Sequence, residues 1–204
     1  MSLTLFHSPA SPFVRCVQIA IEELGLRDEV ALTPIVTTVI APDAALIPAN
    51  PLGKIPALAR PDGPTLYDSR VILRYLDSRA QGRLYPQSGI WEVLTLEALA
   101  HGAMDAAVLA VYERRFRTAK AQNAEWLAGQ LAKVTRALDA IEGQWLSHLS
   151  GPLTAAQIGV GAALGYLDFR HPDLAWRDGR ASLAEWFAKF CERPSMVATA
   201  PPEA

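Results

Sequence analysis

The kind of secondary structure that this sequence predicts changes once along the chain, near residue 80. Before that point, short apolar runs that predict strands alternate with amphipathic segments that predict helices. After it, we find only helical periodicity. This change predicts an α/β domain over residues 1–80, a linker over 81–86 and an all-helical domain over 87–204.

The signals before the linker run in the order strand, helix, strand, irregular stretch, two strands and helix, which predicts a small mixed sheet. Gly25 is placed to end the first helix, and residues 61–64 have the composition of a hairpin turn. Two prolines interrupt the irregular stretch at 37–50. The predicted strands cover residues 3–7, 29–36, 57–60 and 65–67, and the predicted helices cover 12–24 and 69–79.

The part of the chain after the linker contains four segments with apolar residues at helical spacing. Before the third of these segments, Thr154 and Gln157 have the spacing of a capping box, in which the two side chains satisfy backbone N–H groups at a helix start. The predicted helices cover residues 90–116, 126–149, 155–169 and 182–192.

The composition bounds the class of protein. Half of the 204 residues are hydrophobic and 20% are charged, which is sufficient for a substantial core. A net charge of −2 gives no basic surplus for nucleic acid or an anionic membrane surface. We identify no apolar run long enough to cross a bilayer and no signal peptide. A soluble cytoplasmic protein that binds neither nucleic acid nor membrane is therefore predicted.

The chain contains two cysteines, Cys16 and Cys191, which lie near opposite ends and form no CxxC pair. This spacing predicts neither a disulfide framework nor a zinc site, and the low cysteine content is typical of a reducing compartment. We find no motif for another metal or for a nucleotide.

The segment 8–15, Ser-Pro-Ala-Ser-Pro-Phe-Val-Arg, places a hydroxyl between a predicted strand and a predicted helix. Unpaired N–H groups and the helix dipole favour an anion at such a position, and a thiolate is an anion. Ser11 is the hydroxyl at the helix start, and Ser8 is its competitor. The structural alternative is that Ser11 only caps the helix, with Pro12 as its first residue.

Several segments in this order resemble the cytosolic glutathione S-transferases, in particular the small bacterial type with a serine at the start of the active-site helix. The resemblance covers nearly the whole chain. It implies a thioredoxin-like N-terminal domain that binds glutathione, an all-α C-terminal domain that helps to bind an electrophile, and usually a homodimer. The segments that carry it are residues 8–15, 50–56 (Asn-Pro-Leu-Gly-Lys-Ile-Pro), 66–69 (Leu-Tyr-Asp-Ser), 100–106, 165–170 and 192–195.

The resemblance implies that Ser11 is the catalytic residue and that its hydroxyl stabilises the glutathione thiolate. A cysteine there would favour mixed-disulfide chemistry, which a serine cannot perform. Ser11 therefore favours conjugation of glutathione to a small apolar electrophile, as in detoxification. Cys16 lies more than one turn inside the predicted helix, which favours a packed or surface thiol over a reactive one.

The same resemblance implies which residues bind glutathione. A cis peptide bond before Pro56 would turn the backbone of Ile55 toward the cysteinyl part of the ligand, whereas a simple loop proline is the structural alternative. Ser69 suits the γ-glutamyl carboxylate and Asp68 the ammonium group, although both also suit a helix cap. Lys54 suits the glycyl carboxylate or is a solvated lysine. The predicted glutathione-binding set is Ser11, Phe13, Lys54, Ile55, Pro56, Asp68 and Ser69.

The electrophile site is expected between the Ser11 loop and the long helix at 90–116. For each candidate, a place in the helix core or on a solvated face is an equally good interpretation. Asp105 requires a partner if it is buried, and two roles remain open for it: a structural acceptor or a contact to glutathione across a dimer interface. The candidates besides Phe13 are Met104, Asp105, Val108, Tyr112 and Arg115.

The predicted function is therefore that of a glutathione transferase, with glutathione as co-substrate and no metal. A glutathione-dependent isomerase or lyase shares the thiolate step and is the alternative among enzymes. A glutathione-binding module without catalysis is the alternative outside enzymes.

The chain departs from the family at Gln157, where an aspartate is usual, so the predicted helix start lacks a charge.

Overall fold

The computed structural model describes residues 3–202, and these form two compact units. The first unit consists of residues 3–86 together with 193–202, and the second consists of residues 87–192. The first unit is thus built from two separate parts of the chain.

The first unit contains a four-stranded mixed sheet in the order β2-β1-β3-β4. β1 pairs in parallel with β2 and antiparallel with β3, so that Leu5 lies opposite both Leu32 and Leu58. The predicted mixed sheet is confirmed. Its elements are β1 (Leu3–His7), α1 (Pro12–Glu23), β2 (Val30–Pro34), β3 (Ala57–Arg60), β4 (Gly63–Leu66) and α2 (Ser69–Arg79).

The end of α1 follows from Gly25, which has a φ of 68°. This left-handed conformation costs glycine little and lets the N–H of Leu26 reach back to the carbonyl oxygen of Ile21 at 2.9 Å. The predicted helix stop is confirmed.

β4 begins two residues earlier than predicted, because Gly63 pairs with Arg60 across the hairpin. The turn therefore consists of Pro61 and Asp62 rather than of four residues. The guanidinium of Arg60 also donates to the carbonyl oxygen of Pro64 at 3.0 Å. A proline is tolerated in β4 because this strand lies at the sheet edge, where a missing N–H breaks no ladder.

The second unit is helical throughout, and none of its described residues lies in a strand. Its longest helix packs against α6 so closely that a Cβ added at Gly159 would lie 3.3 Å from the Cβ of Ala100. The helices are α3 (Ile90–Phe116), α4 (Ala124–Ala140), α5 (Leu146–Leu149), α6 (Ala155–Arg170) and α7 (Ala181–Cys191).

A π-helical turn at Ile141–Trp145 separates α4 from α5, where the sequence predicts one continuous helix. The carboxylate of Glu142 in this turn accepts the backbone N–H groups of Ser182 and Leu183, the latter at 2.7 Å. The turn thereby supplies the cap for the start of α7.

The predicted capping box at the start of α6 is confirmed. The N–H of Thr154 donates to Oε1 of Gln157 at 2.9 Å. The amide nitrogen of Gln157 donates to the carbonyl oxygen of Pro152 at 2.7 Å. An aspartate could not make this second bond, so the amide replaces the charge that is usual at this position.

Among residues 3–202, α3 is the one helix that is long and apolar enough to cross a membrane, which corrects the prediction that no such run exists. However, 56% of its most apolar window is buried. This burial is typical of the core helix of a globular protein and does not indicate a membrane protein.

A short helix, α8 (Pro194–Ala198), packs against α1 and belongs to the first unit. The guanidinium of Arg15 on α1 donates to the carbonyl oxygen of Met196 at 3.2 Å. The sequence-based division continued the helical domain to residue 204. The structure differs because the chain turns back onto α1, and residues 203–204 lie outside the described residues.

Candidate functional site

Ser11 caps α1 in the first unit. Its Oγ accepts the backbone N–H of Val14 at 3.3 Å, and Pro12 is the first residue of the helix. Among residues 3–202, no acceptor is bound to the Ser11 hydroxyl hydrogen. The side chain is half-buried, so the hydroxyl is held by one hydrogen bond as an acceptor and can still donate another.

Two other groups were alternatives to Ser11. Ser8 precedes the helix, and its carbonyl oxygen accepts the N–H of Ser11 at 3.1 Å, which tightens the turn between β1 and α1. Cys16 is fully buried, with 0% exposure, so its thiol is inaccessible to a substrate in this structure.

The Ile55–Pro56 peptide bond is cis, as the resemblance implies. The side chain of Ile55 packs against a cluster formed by Ile35, Leu46 and Ala57. Within the described part of the chain, the backbone N–H and C=O of Ile55 have no hydrogen-bond partner. They are therefore available to a ligand.

The loop before Ile55 is held by side chains. Asn50, which is buried, donates from Nδ2 to the carbonyl oxygen of Lys54 at 2.7 Å. The Thr37 hydroxyl donates to the carbonyl oxygen of Gly53 at 2.9 Å. The Lys54 side chain itself is exposed, and no ion pair engages it among residues 3–202.

Asp68 and Ser69 begin α2. The Asp68 carboxylate accepts the N–H of Arg70 at 3.0 Å and also pairs with the Arg70 guanidinium at 3.1 Å, which confirms the cap. Partial burial raises the pKa of Asp68, but the hydrogen bonds and charge of Arg70 outweigh it and keep the pKa low. Ser69 is buried at the first position of the helix. The Tyr67–Asp68 peptide bond is cis.

The candidate electrophile residues of α3 differ in exposure. Met104 is buried, which favours its alternative place in the helix core. Val108 and Tyr112 are half-buried, whereas Asp105 and Arg115 are exposed. Because Asp105 is exposed, its carboxylate does not require a partner to offset burial. Phe13, in the first unit, is half-buried on α1.

Sequence reasoning missed two groups. His7 ends β1, just before the Ser8–Ser11 turn, and its Nδ1 is buried with no hydrogen-bond partner among residues 3–202. Burial lowers the pKa of His7, so its ring is neutral at neutral pH. Its position directly before the segment 8–15 is the signal that could have found it. Tyr166 on α6 is the second group, and it lies within the segment 165–170 that carries part of the family resemblance.

No group of three or more His, Cys, Asp or Glu side chains among residues 3–202 is arranged to hold a metal ion. The candidate site is thus made of a hydroxyl, backbone groups at helix starts and a cis-proline loop. These groups suit a peptide-like anion.

Comparison with known proteins identifies the class. The family model for the glutathione S-transferase N-terminal domain matches residues 5–84, and the model for the C-terminal domain matches residues 124–189. The uncharacterized GST-like protein YibF of Escherichia coli (strain K12) is 31% identical over 99% of this chain and 100% of its own. The chain belongs to the glutathione S-transferase family.

Solved structures extend this comparison. A glutathione transferase family member from Pseudomonas fluorescens Pf-5 with bound glutathione is 50% identical, with a TM-score of 0.96 over 98% of this chain and 100% of that one. A structure from the same organism with bound S-(propanoic acid)-glutathione is 48% identical, with a TM-score of 0.92 over the same shares. The thioredoxin-like domain followed by a helical domain is therefore the architecture of this family.

Proposed function

We propose that this protein binds reduced glutathione, holds its sulfur as a thiolate beside Ser11, and conjugates it to small electrophiles in the cytoplasm. The observation that carries the proposal is the Ser11 hydroxyl. Its oxygen accepts from Val14 at the start of α1, and its hydrogen has no acceptor among the described residues. A hydroxyl so placed donates to an anion.

The free energy required to lower the thiol pKa is comparable with what one hydrogen bond and a helix start can contribute. A free thiol has a pKa of about 8.5, and lowering it by two units requires about 2.7 kcal/mol. One hydrogen bond to a charged group contributes about 1.5–3 kcal/mol. The helix start adds about 0.3–1 kcal/mol. Ser11 and the N-terminus of α1 together account for a thiolate near neutral pH.

The remainder of glutathione is assigned to the other groups of the first unit. The free backbone N–H and C=O of Ile55, beside Pro56, pair with the cysteinyl backbone in the manner of an added strand. Ser69 binds the γ-glutamyl carboxylate at the start of α2. Asp68, kept ionised by Arg70, binds the ammonium group, and the unpaired Lys54 binds the glycyl carboxylate. Phe13 lies beside the thiol.

Conjugation is favoured over disulfide exchange because Ser11 cannot form a mixed disulfide and Cys16 is buried. The relative from Pseudomonas fluorescens Pf-5 binds a glutathione substituted by propanoic acid at sulfur. This ligand has the form of a conjugation product and supports the same reaction type here. Val108, Tyr112 and Arg115 of the helical unit are assigned to the electrophile, with Met104 and Asp105 as weaker candidates.

The experiment is a glutathione titration at neutral pH that follows thiolate absorbance and binding heat for wild type, Ser11→Ala and Ser8→Ala. Wild type is expected to form thiolate. Ser11→Ala is expected to lose it, to keep its glutathione affinity within severalfold, and to lose about ten- to a hundredfold in kcat/KM for conjugation. Ser8→Ala, the matched control, is expected to behave like wild type.

Other outcomes identify the alternatives. Thiolate without conjugation to any member of a broad electrophile panel favours a glutathione-dependent isomerase or lyase. Saturable glutathione binding without thiolate favours a sensor or docking module. Absence of glutathione binding by wild type contradicts the proposal altogether.

A homodimer is part of the proposal. In the first unit, four large apolar side chains lie close in sequence and are each 66–87% exposed: Val36, Val39, Ile40 and Leu52. In the second, Trp91 on α3 is 75% exposed. Exposure of this extent is typical of an interface. Light scattering is expected to give twice the chain mass of 22.1 kDa, and Ile40→Ser or Trp91→Ser is expected to weaken the dimer. A monomeric wild type would contradict this part of the proposal.

A further inference from the structure

A cluster of two tyrosines and two arginines lies between α3 and α6 in the helical unit. Tyr112 and Arg115 are three residues apart on α3, and Tyr166 and Arg170 are four apart on α6, so each pair lies on one face of its helix. The hydroxyl of Tyr166 interacts electrostatically with the other three side chains. The two pairs therefore face one another.

A contact at the end of α6 joins this helix to the second half of α3. Nε2 of His171, directly after Arg170, lies 2.9 Å from the carbonyl oxygen of Ala107 on α3. The ring of Tyr166 packs edge-on against the His171 ring, with centroids 6.2 Å apart. On α3, the rings of Tyr112 and Phe116 make a similar contact at 5.2 Å. Each tyrosine of the cluster is thus held by an edge-on contact with a second ring.

The guanidinium groups of Arg115 and Arg170 are not paired with a carboxylate in the described part of the chain. Among residues 3–202, neither Arg115 nor Arg170 forms an ion pair. The acidic side chains nearest to them along their helices are occupied elsewhere: Glu113 binds Arg117 at 2.8 Å, and Asp168 binds Arg177 at 2.6 Å. Both side chains are exposed, so their charges are solvated in the free protein and can be reached by an anionic ligand.

Both guanidinium groups stack on aromatic rings. Cζ of Arg115 lies 5.4 Å from the Phe116 ring centroid, and Cζ of Arg170 lies 3.8 Å from the Phe169 centroid. Stacking orients the planar guanidinium and leaves its N–H edge free, which is the geometry that a carboxylate binds with two hydrogen bonds.

Tyr166 adds a neutral donor. Its side chain is 93% buried, yet its hydroxyl has no hydrogen-bond partner among the described residues. Burial raises the pKa of Tyr166 to about 12, against the opposing effect of Arg170, so the phenol keeps its proton. The hydroxyl oxygen itself reaches solvent, so the hydroxyl can donate to a ligand that binds there.

We propose that Arg115, Arg170, Tyr166 and Tyr112 form a carboxylate-binding site that selects electrophiles with an apolar body and a carboxylate at the end remote from the reacting carbon. This inference rests on the proposed function and names its substrate class. It also extends the electrophile set beyond α3, to two residues of α6.

The test compares para-(chloromethyl)benzoate with para-(chloromethyl)benzamide, which have the same shape and the same reacting carbon. In both, the glutathione sulfur forms a C–S bond to the benzylic carbon, and the C–Cl bond breaks. Chloride leaves with the bonding pair, and the thiol proton passes to solvent. The two reactions differ only in the remote group, which is an anionic carboxylate in one substrate and a neutral carboxamide in the other.

Wild type is expected to prefer the benzoate, after correction for the uncatalysed rates, by about tenfold or more in kcat/KM. Arg115→Met and Arg170→Met are each expected to remove most of this preference by slowing the benzoate reaction alone. Tyr166→Phe, which loses only the hydroxyl, is expected to reduce it severalfold. Arg136→Met is the matched control, because Arg136 is an exposed arginine on α4 without an ion pair among the described residues.

Calorimetry with the two products, the para-carboxybenzyl and para-carbamoylbenzyl conjugates of glutathione, separates this inference from the proposed function. Tighter binding of the acid, lost in Arg115→Met, supports the carboxylate site even if turnover is slow. Equal binding of both products, or equal losses for both in the variants, overturns it while glutathione binding stands. If wild type binds neither product nor glutathione, the proposed function fails and this inference fails with it.

Discussion

Glu23, at the end of α1, accepts two hydrogen bonds from the guanidinium of Arg193, 170 residues further along the chain, at 2.8 and 2.7 Å. The hydroxyl of Ser195 donates to the same carboxylate. Since Glu23 is mostly buried, this carboxylate is paired, hydrogen-bonded and shielded from solvent. It fixes the start of α8 to the first unit.

Glu23→Gln is expected to lower the free energy of unfolding by about 1–3 kcal/mol, because a neutral amide replaces the charged hydrogen bonds between the Glu23 carboxylate and Arg193. Urea denaturation measures the change. Glu22→Gln is the matched control: its pair with Arg27 is exposed, and its loss is expected to cost less than about 1 kcal/mol. Equal effects of the two substitutions would contradict the importance of the Glu23 contact.

The same contact predicts a pH dependence. The hydrogen bonds from Arg193 lower the pKa of Glu23, against the effect of burial, so the folded protein holds this proton less tightly than the unfolded chain. The resulting stability is complete above the ordinary carboxyl pKa of about 4.5 and is lost as the pH falls below it. The advantage of wild type over Glu23→Gln is therefore expected to shrink in acid. An advantage that grows in acid would contradict the assignment.

His171 predicts a pH dependence at higher pH. Burial lowers its pKa despite the contact with Ala107, so the unfolded chain binds the proton more tightly. Stability from the neutral ring is complete above about pH 6.5 and declines as the pH falls. His171→Gln is expected to lose less stability than wild type between about pH 8 and about pH 5.5. Identical pH slopes for the two proteins would show that His171 does not titrate with unfolding.

Gln157→Glu tests the amide in the capping box of α6. The substitution keeps the acceptor for Thr154 but places a charge against the carbonyl oxygen of Pro152, at a side chain that is 1% exposed. A loss of about 2–3 kcal/mol in unfolding free energy is expected from chemical denaturation. Thr154→Ser, which keeps both hydrogen bonds, is the control. A neutral effect of Gln157→Glu would mean that the donors of the amide are dispensable.

Ser69→Ala tests the proposed recognition of the γ-glutamyl carboxylate. The affinity for glutathione, measured by calorimetry, is expected to fall about tenfold or more. The affinity for an analogue in which hydrogen replaces that carboxylate is expected to stay unchanged, since the lost bond is absent from it. Ser78→Ala, on the exposed side of α2, is the control. Equal losses for glutathione and the analogue would assign Ser69 a purely structural role.

Most elements could be predicted from the sequence because their determinants are local. The 27-residue helix α3 was predicted in full from its length and periodicity, and Gly25 marked the end of α1. The π-helical turn was not predicted, because residues 141–145 keep helical spacing in sequence. The cap that Glu142 provides for α7 is a contact between residues 40 apart.

The residues of the candidate site also differ in whether the sequence alone could identify them. Ser11 and Ser69 could be named from cap chemistry and Ile55 from the resemblance to the family, whereas their roles stay predictions. Tyr166 was missed because α6 is buried on every side from residue 155 to 167, so its sequence shows no polar face. Which side chains of α6 lie near Arg115 of α3 depends on how the two helices pack, and this packing cannot be read from the sequence of either helix.

The return of the chain from residue 193 onto α1 has a consequence for how such a protein can be divided genetically. The first unit is encoded by two separated stretches of the gene, with the whole helical unit inserted between them. A single crossover near residue 86 would pass on the sheet and its helices without the segment that covers α1. Exchange of a complete first unit between relatives therefore requires two breakpoints rather than one.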